Sequence, residues 1–266
     1  MIYDTKKLKK NEDIKELIFE DTDYRNRRSY INELPYEIEY IFYNENEINT
    51  WNIVWKTIHP LYREHGCKTY LKCLKELIDN DIFKYDTIPQ FKKVSDFMYK
   101  STGFKLNPVN GLLSPLEFFT GLSKKIFFCT RYIRHHKTPF YTTEPDLIHE
   151  MLGHVPMFLN KEFCNLSQKI GELAIKNLKN IEIFERFYWY TIEFGLIKED
   201  NLFKAYGAGI LSSVDEMNKV FNNLNLIKFF DYEEIISKSL LITDLQNQYF
   251  YIDSFDILFE LVNNLK

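Results

Sequence analysis

The segment Pro145-Asp146-Leu147-Ile148-His149-Glu150-Met151-Leu152-Gly153-His154-Val155-Pro156 constrains this chain more than any other, because it sets two imidazoles and two carboxylates in one short apolar run. Imidazole is the commonest protein ligand for zinc, copper, iron and nickel, so paired histidines beside acids point to a metal. The spacing is unusual. In a zinc peptidase the second histidine follows the first by four residues and shares its helical face, whereas here it follows by five. Five residues of a regular α-helix rotate by roughly 500°, which leaves the two side chains roughly 140° apart. Gly153 permits left-handed backbone and Pro156 stops a helix, so the expected local structure is a helix that closes between the histidines and swings His154 back toward His149.

A third ligand has to come from elsewhere. Phe187-Tyr188-Trp189-Tyr190-Thr191-Ile192-Glu193-Phe194-Gly195 holds one carboxylate among aromatic and aliphatic residues, and carboxylates are seldom buried unless paired or metal-bound. Two histidines and one carboxylate form the facial set that leaves positions open on non-heme iron(II). Two alternatives stay open at the level of residue types. Each histidine could be a satisfied core residue, with Glu193 paired to a buried Arg or Lys. The His149-Glu150 pair could also serve a zinc hydrolase with Glu150 as general base, although the five-residue spacing breaks that geometry.

The 266 residues are enough for one large domain with a substantial core. A net charge of -4 provides no basic field for nucleic acid. Cys67, Cys73, Cys129 and Cys164 lack paired metal or redox spacing, the amino terminus has no apolar signal core, and no apolar run is long enough to span a membrane. These features imply a reduced, cytoplasmic protein that meets neither nucleic acid nor membrane.

Periodicity predicts a mainly α chain. Residues 1–20 read as an amino-terminal extension, with at most a short helix from Asn11, and residues 21–46 as an irregular arm. Ile48, Trp51, Val54, Trp55, Ile58 and Leu61 mark a helix that Pro60 should kink or segment. Further helices are expected through Tyr70 to Ile78, from Pro89 to a stop at Gly103, and from Pro115, where Ser114 and Glu117 form a capping box. Lys125 to Arg134 reads as a strand with Ile126, Phe128, Thr130, Tyr132 and Arg134 on one face. Helices then follow from Phe163 to Ala174, around Glu193, through Met217 to Phe221, and from Ser254 or Asp256 to the end. Short extended pieces are expected at Phe104 to Pro108, Leu226 to Phe230 and Gln248 to Ile252.

Four blocks carry a resemblance: Pro108-Val109-Asn110-Gly111-Leu112-Leu113-Ser114, Cys129-Thr130-Arg131-Tyr132-Ile133-Arg134-His135, the His149 segment, and Lys204-Ala205-Tyr206-Gly207-Ala208-Gly209-Ile210-Leu211-Ser212-Ser213. In composition and order they resemble the catalytic domain of the pterin-dependent aromatic amino acid hydroxylases, from about Tyr24 to the end. The resemblance implies a single compact catalytic domain over residues 21–266, built of packed helices with a few short strands around an iron pocket. It implies iron(II) on His149, His154 and Glu193, tetrahydrobiopterin or a related tetrahydropterin, dioxygen, and a free aromatic amino acid as substrate. Gly111, Leu112, Leu113, Phe118, Glu150 and Tyr188 match positions around the pterin, and Glu150 and Tyr188 would also take part in catalysis. Arg134, Thr142, Trp189 and Ser212 match positions around the amino acid, with Arg134 suited to its carboxylate. Asp146 could secure Arg134 or cap the following helix. Arg131 is expected in a solvent or structural role, and His59, His65, His135 and His136 outside the site. Phe128 departs from the pattern, since many animal members have His there.

The family's flanking regulatory domain and tetramerisation tail find no counterpart in this sequence, which implies a monomer or weak dimer with a hyperbolic response to substrate. Trp189 matches phenylalanine and tyrosine hydroxylases, while an apolar Ile242 argues against tyrosine and fits either of the other two substrates. Phenylalanine is the expected substrate, with tryptophan or mixed specificity as the alternative.

Overall fold

The computed structural model of the chain describes residues 11–242 and 244–265, the first three of them as backbone only. The expected extension is thus described only from Asn11, where α1 (Asn11–Glu20) begins, and α2 (Thr22–Glu33) follows at once. The expected irregular arm is therefore helical over its first half. Its sequence gave no helical signal because Ile31 is the one residue of α2 that is fully buried, so no apolar stripe marks a face. Polar contacts hold it instead. Asp21 caps it by accepting from Tyr24 N at 2.9 Å, Arg27 pairs with Glu47 at 3.0 Å, and the Tyr24 hydroxyl donates to Ile133 O at 3.2 Å. The buried Arg131 guanidinium donates to the carbonyls of Asn32, Leu34 and Pro35, which closes the carboxyl end of α2 and gives Arg131 the structural role.

α3 (Glu45–His65) starts with a full capping box between Asn44 and Glu47 and buries Trp51, Val54, Trp55, Ile58 and Tyr62. It runs unbroken through Pro60, against expectation. Proline deprives the Lys56 carbonyl of its helical donor, but Lys56 and Pro60 both lie on the exposed side, where water is at hand. α4 (Lys68–Asp79) and α5 (Phe91–Thr102) complete this layer. α5 starts two residues after Pro89 and ends at Gly103, whose φ of 80° is the left-handed conformation that suits glycine at a helix end.

β1 (Lys105–Pro108), α6 (Pro115–Ser123) and β2 (Ile126–Cys129) come next, with β1 and β2 parallel and the Ser114/Glu117 box present. The expected strand to Arg134 stops at Cys129, and its buried side carries Phe127 and Cys129 rather than Ile126 and Phe128. Beyond Cys129 the backbone serves individual partners instead of a ladder: Thr130 N donates to Glu150, Tyr132 O accepts from Leu147 N, and Arg134 N donates to Asp146. After two π turns, described below, and α7 (Lys161–Lys176) and α8 (Ile181–Tyr188), the chain forms β3 (Gly195–Glu199), β4 (Leu202–Ala205), α9 (Ala208–Leu211), α10 (Val214–Asn222), β5 (Ile227–Phe229), α11 (Tyr232–Ser237), β6 (Tyr249–Ile252) and α12 (Asp256–Asn264). The second sheet has the order β4-β3-β6-β5, antiparallel at β3/β4 and parallel elsewhere.

Helices thus dominate a single domain, as expected. The four cysteines are free and buried, and no described helix is long and apolar enough to cross a membrane. β3 starts two residues after Glu193, and α9 leads directly to Ser212, so the sheet edge and α9 meet where the histidine segment arrives.

Candidate metal centre

His149 and His154 open and close a π turn, His149–His154. In a π turn the backbone hydrogen bond reaches five residues along, so residues five apart lie one above the other. The bond from Val155 N to Glu150 O, 3.0 Å, has this span. The expected left-handed break at Gly153 is absent, since Gly103 is the one described glycine with positive φ. Gly153 serves close approach instead. A Cβ there would lie 2.6 Å from the Ala208 carbonyl oxygen and 3.0 Å from the Ala208 methyl, so only glycine lets the turn abut α9. Glu193 ends a second π turn, Trp189–Glu193, again marked by a five-residue bond from Phe194 N to Trp189 O at 3.0 Å.

The two turns bring three donors together. His149 Nε2 and His154 Nε2 are 3.1 Å apart, and the Glu193 oxygens lie 3.7 Å and 3.0 Å from them respectively. Metal–nitrogen bonds of about 2.1 Å at right angles would place two donors roughly 3.0 Å apart, so this spacing suits one ion. No other group of three His, Cys, Asp or Glu among the described residues meets metal-binding distance. Burial, followed by the charge of His154, pushes the His149 pKa down to about 4, which keeps the ring neutral as a ligand must be. Burial alone would raise the Glu193 carboxyl, but the two imidazoles outweigh it and hold the carboxyl below its usual range. The core-histidine alternative needed a buried Arg or Lys at Glu193, and the partners found there are the two histidines.

Around these donors is a cavity of about 170 Å³. His149, Glu150, His154 and Glu193 line it together with Gly111, Leu112, Leu113, Phe118 and Phe128. The Tyr188 ring meets Phe118 edge to face at 5.0 Å, and its buried hydroxyl has no protein partner. A two-His, one-carboxylate donor set with open cavity beyond it fits iron. A larger hollow of about 560 Å³ lies away from this chemistry, between α7 and α12.

Residues 3–264 match the family model for biopterin-dependent aromatic amino acid hydroxylases. The chain belongs to that family. It is 38% identical to the tryptophan 5-hydroxylase of Xenopus laevis over 245 residues, 90% of this chain and 51% of that one. It is also 38% identical to human phenylalanine-4-hydroxylase over 253 residues, 92% and 56% respectively. The chain spans about half the length of these curated relatives. Among solved structures it resembles the phenylalanine hydroxylase of Chromobacterium violaceum with bound iron(III) and 7,8-dihydrobiopterin, at TM-score 0.76 and 32% identity over 82% of this chain and 79% of that one. Membership in a hydroxylase family excludes the zinc hydrolase alternative.

Within this hydroxylase frame the remaining predicted residues fall into two groups. Glu150 is buried beside the metal ligands and accepts from Thr130 N at 3.4 Å; burial, then the charge of Glu193, pushes its carboxyl well above the usual range. Leu112 is 75% exposed, so it meets the cavity at the rim. Ser212 Oγ lies 2.8 Å from His149 Nδ1. Asp146 does both of the things expected of it: Oδ1 accepts from Arg134 Nη2 (2.7 Å) and His149 N (3.1 Å), and Oδ2 from Arg134 N and Nε. Arg134, Ser212 and Tyr188 do not line the cavity, and neither does the second group. The Thr142 hydroxyl donates to Glu144 O at 2.6 Å, a local turn contact, and Trp189 packs on Phe194 and donates from Nε1 to Gln246 Oε1 at 3.1 Å.

Sequence reasoning passed over Phe127, whose ring lies 4.7 Å from His154, and Thr130, Pro145 and Gln246. The first two sit within or beside the Cys129 block, which could have flagged them; Gln246 has no local signal. His135, expected outside the site and solvated, is fully buried and pairs with Asp21 at 3.1 Å. Ser212→Ala is expected to weaken iron binding about 10- to 100-fold, because an outer hydrogen bond fixes the ring and tautomer of a ligating histidine. Iron titration of the purified variant measures this, and unchanged affinity would remove that role from Ser212.

Proposed function

We propose that this chain is an iron(II)- and tetrahydropterin-dependent monooxygenase that hydroxylates the ring of a free aromatic amino acid, with phenylalanine preferred. The supporting observation is the convergence of His149, His154 and Glu193 on one cavity that Gly111, Leu112, Leu113 and Phe118 also line. When bound, iron and the tetrahydropterin supply the activation of dioxygen. The protein supplies positions. His149, His154 and Glu193 would hold the ion at the cavity that all three line. The 111–113 segment and the Phe118 ring would hold the pterin, with the Tyr188 ring packed edge to face on Phe118 behind them. Glu150, whose carboxyl burial and then the charge of Glu193 push up, is held at the same cavity by the Thr130 N–H. Phe128 lines that cavity too but offers no hydrogen bond. Arg134 spends Nε and Nη2 on Asp146, which leaves Nη1, with only the Pro139 carbonyl at 3.4 Å, to receive the amino acid carboxylate.

Preference for phenylalanine rests on Trp189, a bulky ring on the same π turn as Glu193 and fastened at its nitrogen. Tryptophan is the second reading, favoured by the equal identity to a tryptophan 5-hydroxylase. Ile242 adds little to either, being 67% exposed. Apolar pocket differences discriminate by only about 10- to 200-fold. Side-by-side kcat/KM values for phenylalanine, tyrosine and tryptophan, with iron(II) and tetrahydrobiopterin, are expected to rank phenylalanine first and tyrosine last. Tryptophan ahead by more than about tenfold would overturn the assignment.

A further inference from the structure

Gln246 is 2% exposed and hydrogen-bonds to the Trp189 π turn, to α10 and to Leu241. Its Oε1 accepts from Trp189 Nε1 at 3.1 Å, its Nε2 donates to Leu241 O at 2.6 Å, and its backbone N–H donates to Glu216 Oε1 at 2.9 Å. The indole N–H is a donor only and the carbonyl an acceptor only, so a single orientation of the amide serves both. Glu216 is itself buried on α10 and accepts from the Tyr249 hydroxyl at 2.6 Å. Lys219, one turn further along α10, donates to Leu245 O at 3.0 Å. Leu245 and Gln246 are thus fastened to α10, which begins two residues after the Ser212 that touches His149. Before them in the chain, Asp244 is near Tyr141, whose hydroxyl pKa is raised by burial and then by the Asp244 charge.

We propose that Gln246 is a positioning residue for substrate choice: it holds the Trp189 indole in one fixed relation to Leu241 and α10, and thereby sets how the π turn that runs from Trp189 to Glu193 approaches a phenyl as against an indole ring. This rests on the aromatic amino acid reading above. A buried indole N–H without an acceptor is costly, so loss of the amide frees Trp189 to turn toward another partner.

The chain has three tryptophans, Trp51, Trp55 and Trp189, so isotope-labelled protein shows three indole N–H resonances, and Trp189→Phe identifies one of them. In Gln246→Met, close in volume but unable to accept from the indole through an amide oxygen, that resonance is expected to shift and the phenylalanine-to-tryptophan ratio of kcat/KM to move by about tenfold or more. In a Trp189→Phe background the same replacement is expected to leave the ratio within about twofold, since its effect runs through the indole. An unmoved resonance, or an equal change of ratio in both backgrounds, overturns the inference. If Gln246→Met fails to fold, Gln246→Asn, too short to reach both partners, carries the same expectations. A wild-type protein that hydroxylates none of the three amino acids sinks the functional reading instead, and does so before any variant is made; the resonance still decides whether Gln246 holds Trp189.

Discussion

His149→Ala, His154→Ala and Glu193→Ala are each expected to lose stoichiometric iron, and with it more than about 99% of pterin-coupled hydroxylation, because even outer-sphere changes at metal sites cost up to roughly 100-fold. The three donors lie within 4.8 Å of one another and come from two π turns, so removing one leaves two that cannot complete the facial set. A readout independent of turnover exists. A ligand that binds only the folded state stabilises it by about 2.7 kcal/mol at 100 times its Kd. Added iron(II) is therefore expected to raise the unfolding midpoint of the wild type and leave that of Glu193→Ala in place. A variant with full iron content and full activity would contradict the assignment of its residue.

Gly153→Ala is expected to damage both stability and metal binding. Its Cβ would sit 2.6 Å from the Ala208 carbonyl oxygen and 3.1 Å from the carbonyl carbon, and neither is the free end of a flexible side chain. Something has to shift, and the candidates are the π turn with His154 and α9 with Ser212 behind it. Overpacking of this kind costs about 1–3 kcal/mol, or about 2–4 °C in midpoint per kcal/mol for a domain of this size. Displacement of His154 or of the 2.8 Å Ser212 contact to His149 adds a loss of iron affinity on the order of tenfold. Calorimetry with an iron titration measures both. Unchanged values in both would mean that the α9 contact does not constrain the site.

The two π turns also show where sequence and structure divided the work. The five-residue histidine spacing already said that a regular helix could not present both rings to one ion, and the aromatic setting of Glu193 already marked it as a candidate third ligand. Capping at Ser114 and Glu117 and the stop at Gly103 were legible because each depends on a few adjacent residues with strong local preferences. The manner in which the histidines converge was not legible. A left-handed break and a π turn both satisfy the spacing, and the approach of Ala208, 55 residues further along the chain, decides for the second. The same holds for α2, whose helix rests on Arg131 and Ile133 about a hundred residues away, and for Gln246, whose partners Trp189 and Glu216 lie on two separate elements remote from it in the chain. Residue type and spacing fix which atoms can bind a metal or cap a helix. Which polar groups are left to find distant partners, and which backbones must touch, depends on the desolvation of groups that meet only in the folded chain, and the tertiary structure alone decided it.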